Sequence, residues 1–346
     1  MVPFERDTMY LDRPNISREI SHILQDNRLV ALAGTGGVGK SQIAIEYFYR
    51  FREQHPSGHV FWIHFSTLER AVSGWSQMAR KIEIPSFDRP EADILHLVKD
   101  YVSDEAHGPW LLVLDNADDG DVFFKSQICT SKSSTTRVMS SCLPLSKGGI
   151  TLLITRNRSV GEKMASRKAT LSLHTDISRR SVITSFKITR NDWDEANASK
   201  LVTELDCIPL AVTQAAAFIS QNSMPISDHL ASLQADSEET MALLGEEIYD
   251  VRRDQDIQAP ILRTWKLSFD LIEKQKPRAI EVLGVMSVLD RQGVPKNLLE
   301  RSGESVVQFI LAFGTLQSSL MIKPEKNGAA FGMHRLVQAS IQAWLE

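Results

Sequence analysis

Cysteine is scarce, with three residues in 346, at positions 129, 142 and 207. Spacings that wide form neither a metal-ligand pattern nor a disulfide framework, and a reducing compartment fits them best. Long apolar runs are missing as well. No stretch reaches the roughly 18–20 residues needed to span a bilayer. The amino terminus, Met-Val-Pro-Phe-Glu-Arg-Asp, carries acids where a secretory signal has an apolar core. A cytoplasmic location with no membrane partner is therefore expected. Excess charge is absent too: 39 Lys and Arg against 43 Asp and Glu give a net charge of −4. That balance lacks the basic footprint that nucleic acid or an anionic membrane selects. No internal repeat is found. What remains is an ordinary globular composition, 42% hydrophobic and 24% charged, at a length that suggests two or three domains.

Residues 34–41 read Gly-Thr-Gly-Gly-Val-Gly-Lys-Ser, a complete G-x-x-x-x-G-K-[ST] phosphate-binding loop. The apolar run 29–33 before it reads as a buried strand, and residues 41–47 after it as an amphipathic helix, the order this chemistry requires. Gly34, Gly36, Gly37 and Gly39 can adopt positive φ and leave backbone N–H groups open to phosphate oxygens. The helix N-terminus favours the same anion. Lys40 is expected at the β- and γ-phosphates and Ser41 on Mg²⁺. Gly34, Gly36, Gly37, Val38, Gly39, Lys40, Ser41 and Gln42 are thus the expected binding set for ADP or ATP with Mg²⁺.

Further strands are predicted at 60–65, 110–115 and 151–156, with helices at 68–81 and 91–103 between them. Alternation of this kind argues an α/β fold, a parallel sheet with helices on both faces. The Ser- and Thr-rich stretch 121–148 reads as a surface excursion. Beyond about residue 185 the pattern turns helical, at 194–205, 209–221 and 227–233. Residues 235–256, with eight acids against two arginines, read as an exposed linker. Helices follow at 261–272, 278–289 and 308–316. Strand-like stretches at 319–322 and 329–333 then flank Asn327-Gly328, a hairpin signal. Helices followed by a small hairpin suggest a winged helix. The expected division is 1–175, a nucleotide-binding α/β domain; 185–255, a helical subdomain with the acidic linker; and 256–346, a winged-helix subdomain.

Asp115 ends an apolar strand, where a Mg²⁺-organising carboxylate belongs downstream of a phosphate loop. Its neighbour is Asn116, and an amide cannot take a proton from water. Asp118 and Asp119 could act as base instead, or simply form a polar turn. Arg156 closes the fourth strand, where a cation would sense a γ-phosphate. Pro209 could be the first residue of its helix. His334 alone reads as structural.

The motifs GTGGVGKS, WLLVLDNADD, LLITRN, CIPLAV and MHRLVQ occur in an order that resembles the NB-ARC domain of STAND-type P-loop NTPases, and fungal NOD-like receptors in particular. The resemblance covers about residues 10–346. It implies phosphate and Mg²⁺ roles for Lys40, Ser41 and Asp115, and a sensor role for Arg156. Pro209 would pack on adenine, His334 would contact the β-phosphate of ADP, and residues 10–13 would line the adenine pocket. Arg335 stands where the family has an aspartate after that histidine, and Cys207-Ile208 replaces Gly-Leu before the proline. The stretch 156–190, with nine Lys or Arg against two acids, fits poorest: a strand and an acidic helix are expected there, and the sequence shows no clean helical period.

The resemblance implies an ADP/ATP switch in signalling that self-associates and engages protein partners on activation, with slow hydrolysis at most. A conventional P-loop ATPase or kinase with rapid turnover is the alternative, disfavoured by Asn116. A nucleic-acid-associated ATPase is disfavoured by the acidic balance. Related proteins carry an effector module upstream and sensor repeats downstream; neither is read in this sequence.

Overall fold

The computed structural model describes Arg6, Tyr10 and residues 12–345, apart from 86, 88, 90–91, 126, 130–135, 145, 174–193, 222, 236–260, 291, 326–328 and 334. The chain divides into two compact units, Met1–Ala33 with Lys40–Ser172, and Gly34–Gly39 with Leu173–Glu346.

The first unit is built on strands β1 (Leu29–Gly34), β2 (His59–His64), β3 (Trp110–Asp115), β6 (Gly149–Thr155) and β7 (Thr170–Leu173), with β4 (Gln127–Cys129) and β5 (Thr136–Val138) in a separate ribbon. The main sheet runs in the order β2-β3-β6-β1-β7. Pairing is parallel between β2 and β3, β3 and β6, and β6 and β1. Every residue of β1 and β3 is buried, as continuous apolar runs require of central strands covered on both faces. The edge strand β2 buries only Phe61 and Ile63. Gly149 cannot be replaced without rearrangement, because a Cβ there would stand 2.0 Å from the Trp110 ring.

Helices α1 (Pro14–Asp26), α2 (Lys40–Gln54), α3 (Leu68–Lys81), α4 (Ile94–Ser103), α5 (Gly120–Phe124) and α6 (Arg158–Ala165) accompany the sheet. Thr67, Asp93, Asp119 and Asn157 each cap the helix that follows by accepting a backbone N–H, which satisfies a donor that the first turn leaves open. Two expectations are corrected here. Residues 121–148 are more than a surface excursion: they contain α5, β4 and β5 and bury Val122, Phe123, Met139 and Leu143. Phe123 stacks on Phe65 with ring centroids 4.5 Å apart, so the few apolar residues of a polar stretch reach the core. The poorly fitting stretch after Arg156 does form a helix, α6, and then a strand, β7. The rest of that stretch, 174–190, lies outside the described residues.

In the second unit, α7 (Glu195–Glu204), α8 (Pro209–Gln221) and α9 (Ile226–Ala235) bury Leu201, Val202, Leu210, Ile219, Leu230 and Leu233. Asp206 and Cys207, in the turn before α8, take φ of 53° and 58°. This left-handed turn stands where the family motif offers glycine, the residue that adopts it without strain. The acidic stretch expected as a linker falls almost wholly at 236–260, outside the described residues.

Then come α10 (Ile261–Gln275), α11 (Pro277–Ser287), β8 (Val294–Pro295), α12 (Lys296–Leu299), α13 (Val306–Ser318), β9 (Ile322–Glu325), β10 (Ala330–Met333) and α14 (Arg335–Leu345). The three strands form an antiparallel sheet in the order β8-β10-β9. Trp265, Phe269, Leu283, Met286 and Ile341 are among the fully buried side chains of its helices. Strand β9 starts later than the sequence suggests. Helix α13 continues to Ser318, and Leu320 turns the chain at φ 57° before Ile322 can pair with Met333. The tip of that hairpin, Asn327-Gly328, lies outside the described residues.

Candidate functional site

The loop after β1 uses left-handed backbone where only glycine adopts it readily. Gly37 and Gly39 take φ of 86° and 88°, a region costly for residues with a Cβ. Of the four glycines that can adopt positive φ, Gly34 and Gly36 do not take it. Gly34 is required for space instead: a Cβ there would stand 2.8 Å from Val38 Cγ2 and 3.0 Å from the Leu173 carbonyl oxygen. Gly37 is packed in the same way, 3.0 Å from Leu210 Cβ and 3.2 Å from Ile208 Cγ2. The carbonyls of the loop are also engaged within the second unit. The Leu210 N–H donates to Gly37 O at 3.2 Å, and the indole Nε1 of Trp265 donates to Gly36 O at 3.2 Å.

The loop leads directly into α2 at Lys40, whose side chain is 7% exposed. Burial, followed by the neighbouring Arg156 cation, pushes its ammonium down to about 7, against the pull of Asp118 and Asp115. A buried lysine and a second cation, set among two carboxylates, form a charged cluster at the end of the loop. Ser41 Oγ donates to Asp115 Oδ1 at 3.3 Å. A hydroxyl and a carboxylate brought together at the end of the loop are hard oxygen donors that suit Mg²⁺. Asp115 is buried, and burial raises its carboxyl above the usual range, opposed by His64 and by the N–H of Asn116.

Neither substitute for the missing base beside Asp115 is placed as one. Asp119 caps α5. Asp118 Oδ1 accepts the Arg156 main-chain N–H at 2.6 Å, and its Oδ2 lies 3.4 Å from Arg156 Nε.

No family model matches the chain. A nucleotide-binding leucine-rich repeat (NLR)-like protein of Hyaloscypha variabilis is 33% identical to it over 356 residues, covering all of this chain and 36% of that protein. That similarity supports the resemblance to the NB-ARC region of NOD-like receptors. The chain spans a little over a third of the length of that curated relative. Among solved structures, a Walker-type ATPase of Pyrococcus abyssi matches with a TM-score of 0.63 over 99% of both chains at 14% identity, a likeness of fold. A STAND protein with a tetratricopeptide repeat sensor from Pyrococcus horikoshii has a TM-score of 0.42 at 14% identity, over 98% of this chain and 43% of that one. That similarity is too slight to carry an argument.

Lys40, Ser41, Asp115 and Arg156 come together in the first unit as one cluster of charge and hydroxyl. Pro209 is the first residue of α8, a position where its missing N–H costs nothing. His334 lies outside the described residues, as does Leu11 within 10–13. Tyr10 is largely buried, which pushes its phenol up to about 12, and Asp12 pairs with Arg50 at 3.0 Å. The sequence reading missed two residues. His64 ends β2 in register with Asp115, a parallel that the two strand endings could have revealed. Trp265 carries no local signal of its contact with Gly36, and Asp118, considered as a base or a turn residue, is instead the partner of Arg156.

Among the described residues no group of His, Cys, Asp and Glu forms a metal cluster, and no helix is long and apolar enough to cross a membrane.

Proposed function

We propose that the chain is the nucleotide-operated switch of a NOD-like receptor, closed with ADP, assembly-competent with ATP, and at most a slow ATPase. The observation that carries this reading is the buried Lys40 beside Arg156, with Ser41 and Asp115 joined at the end of the phosphate loop. Lys40 and the loop N–H groups of Gly34, Gly36, Gly37, Val38, Gly39, Ser41 and Gln42 bind the phosphates. Ser41 and Asp115 hold Mg²⁺, which when bound neutralises phosphate charge. Arg156 answers to the γ-phosphate. Pro209 packs on adenine and His334 contacts the β-phosphate of ADP. Residues 185–255 serve as the helical subdomain and 256–346 as a winged helix. Asn116, unable to accept a proton, keeps turnover low. Self-association and protein partners follow activation, in the cytoplasm.

A ligand shifts such an equilibrium only by its difference in affinity for the two states, so nucleotide identity is the quantity to measure. The purified chain is expected to release ADP on acid denaturation. Lys40→Ala is expected to weaken ADP and ATP binding by about 100-fold or more, the loss of a buried charge contact to phosphate. No affinity for either nucleotide, or full affinity in Lys40→Ala, would sink the reading. Multiple turnover faster than about 1 s⁻¹, the ordinary enzyme range, would favour a conventional ATPase.

A further inference from the structure

Asp118 lies three residues past the Mg²⁺ carboxylate, and the chain delivers it with care. Asn116 turns at φ 56° and donates its N–H to Asp115 Oδ1 at 3.0 Å. The buried Ala117 then donates its N–H to Ile154 O at 2.9 Å, which carries the union of β3 and β6 beyond the last paired residues. Asp118 therefore arrives opposite the end of β6. Its Oδ1 accepts from the Arg156 N–H at 2.6 Å and from Thr155 Oγ1 at 3.5 Å, and its Oδ2 forms the ion pair with Arg156 Nε. One carboxylate thus grips both the main chain and the side chain of the same arginine. The two side chains are 19% and 13% exposed, so the grip is largely sheltered from water.

We propose that Asp118 is the positioning residue for Arg156, holding its guanidinium where the γ-phosphate of bound ATP arrives and thereby setting the preference of the site for ATP over ADP. This rests on the nucleotide-switch reading above. A long arginine side chain has about 2 kcal/mol of rotamer freedom to lose, and a partner that restrains it beforehand leaves less to lose on binding. ADP lacks the group that Arg156 would meet, so the restraint is of use to ATP alone.

The test is equilibrium binding of Mg²⁺-ADP and of a Mg²⁺-bound non-hydrolysable ATP analogue to the whole chain. Wild type, Asp118→Ala, Asp118→Asn, Arg156→Ala and the Asp118→Ala/Arg156→Ala double variant are compared. Asp118→Ala is expected to weaken the analogue about tenfold, a typical loss for a charge-assisted contact, and to leave ADP within about twofold. Asp118→Asn keeps an oxygen for the Arg156 N–H and should recover part of the loss. In the Arg156→Ala background, removing Asp118 should change neither affinity, the non-additivity expected of residues that act as a unit. Equal weakening of both nucleotides, a full effect in the absence of Arg156, or tighter binding of the analogue by Asp118→Ala would each overturn the proposal. If Asp118→Ala does not fold, Asp118→Asn alone must still lower the ratio of analogue to ADP affinity, or the proposal fails. A wild-type chain that binds neither nucleotide overturns the switch reading itself, whereas one that binds both with an unmoved ratio in the variants overturns only the role of Asp118.

Discussion

Arg156 in the first unit and Arg278 in the second both face carboxylates, and they are held in contrasting ways. Arg278 donates Nε to Glu304 Oε1 at 2.7 Å and Nη2 to Glu304 Oε2 at 2.9 Å, with Nη2 also reaching Leu299 O at 2.9 Å and Nη1 reaching Glu281 at 3.3 Å. Every nitrogen of that guanidinium has an acceptor from the fold, and the Glu304 side chain is 5% exposed. Arg156 approaches Asp118 through Nε at 3.4 Å, in the neighbourhood of the buried Lys40. An arginine used as a clip is saturated by its own fold, because two parallel hydrogen bonds fix geometry as well as energy. Arg156 is gripped at two points of one residue, its main-chain N–H and its Nε, by the same carboxylate.

The sharpest way to break this comparison is Arg278→Ala. It strips a sheltered carboxylate of its partner, a costly kind of loss, and is expected to lower the thermal midpoint by roughly 5–10 °C. ADP affinity should stay within about twofold, the size of effect expected for a change outside the site. A large loss of affinity with an unchanged midpoint would invert the roles assigned to the two arginines.

A second test uses acid. Arg278 holds the Glu304 carboxyl below its ordinary value, helped by the Arg301 N–H. A folded pKa below the unfolded one means that the pair's stabilisation is complete above the unfolded value, about 4.3, and is lost as pH falls through the folded value. The difference in thermal midpoint between wild type and Glu304→Gln should therefore be constant near neutrality and shrink below about pH 4.3. A difference that instead vanishes on raising the pH would remove the ion pair from the explanation.

Much of the first unit can be read without coordinates because its parts are local. Lys40 and Ser41 belong to one eight-residue motif, and Asp115 and Arg156 close or follow apolar runs that can only be buried strands. Strand β7 escapes notice since Thr170–Leu173 alternates polar and apolar residues over only four positions. The separate duties of Asp118 and Asp119 are invisible in a row of two like charges. Geometry alone makes one the partner of Arg156 and the other the cap of α5. Cys207 could be seen to replace a glycine, but its left-handed backbone could not. The contact of Trp265 with Gly36 spans 229 positions, and no local pattern encodes it.

Trp265 sharpens the comparison where the expected effect is smallest, since it combines both styles. Its indole is fully buried in the second unit, yet its hydrogen bond ends on a carbonyl of the phosphate loop. Loop N–H groups that face a phosphate leave their carbonyls to be satisfied elsewhere, and Trp265 satisfies one of them. Trp265→Phe keeps an aromatic ring and removes the donor. It should cost on the order of 1 kcal/mol for the hydrogen bond and lower the midpoint by roughly 3 °C. Because Gly36 O is then left without that donor, the loop should hold its shape less well, and ADP and the ATP analogue should both weaken by about threefold. The equality of the two losses is what separates this residue from Asp118. A tryptophan that shapes the loop affects every nucleotide, whereas an aspartate that aims Arg156 affects only the one with a γ-phosphate. Isothermal titration of both ligands into Trp265→Phe checks this directly. A loss confined to the ATP analogue would assign Trp265 to γ-phosphate sensing, and an unchanged affinity with a lowered midpoint would make it a clip like Arg278.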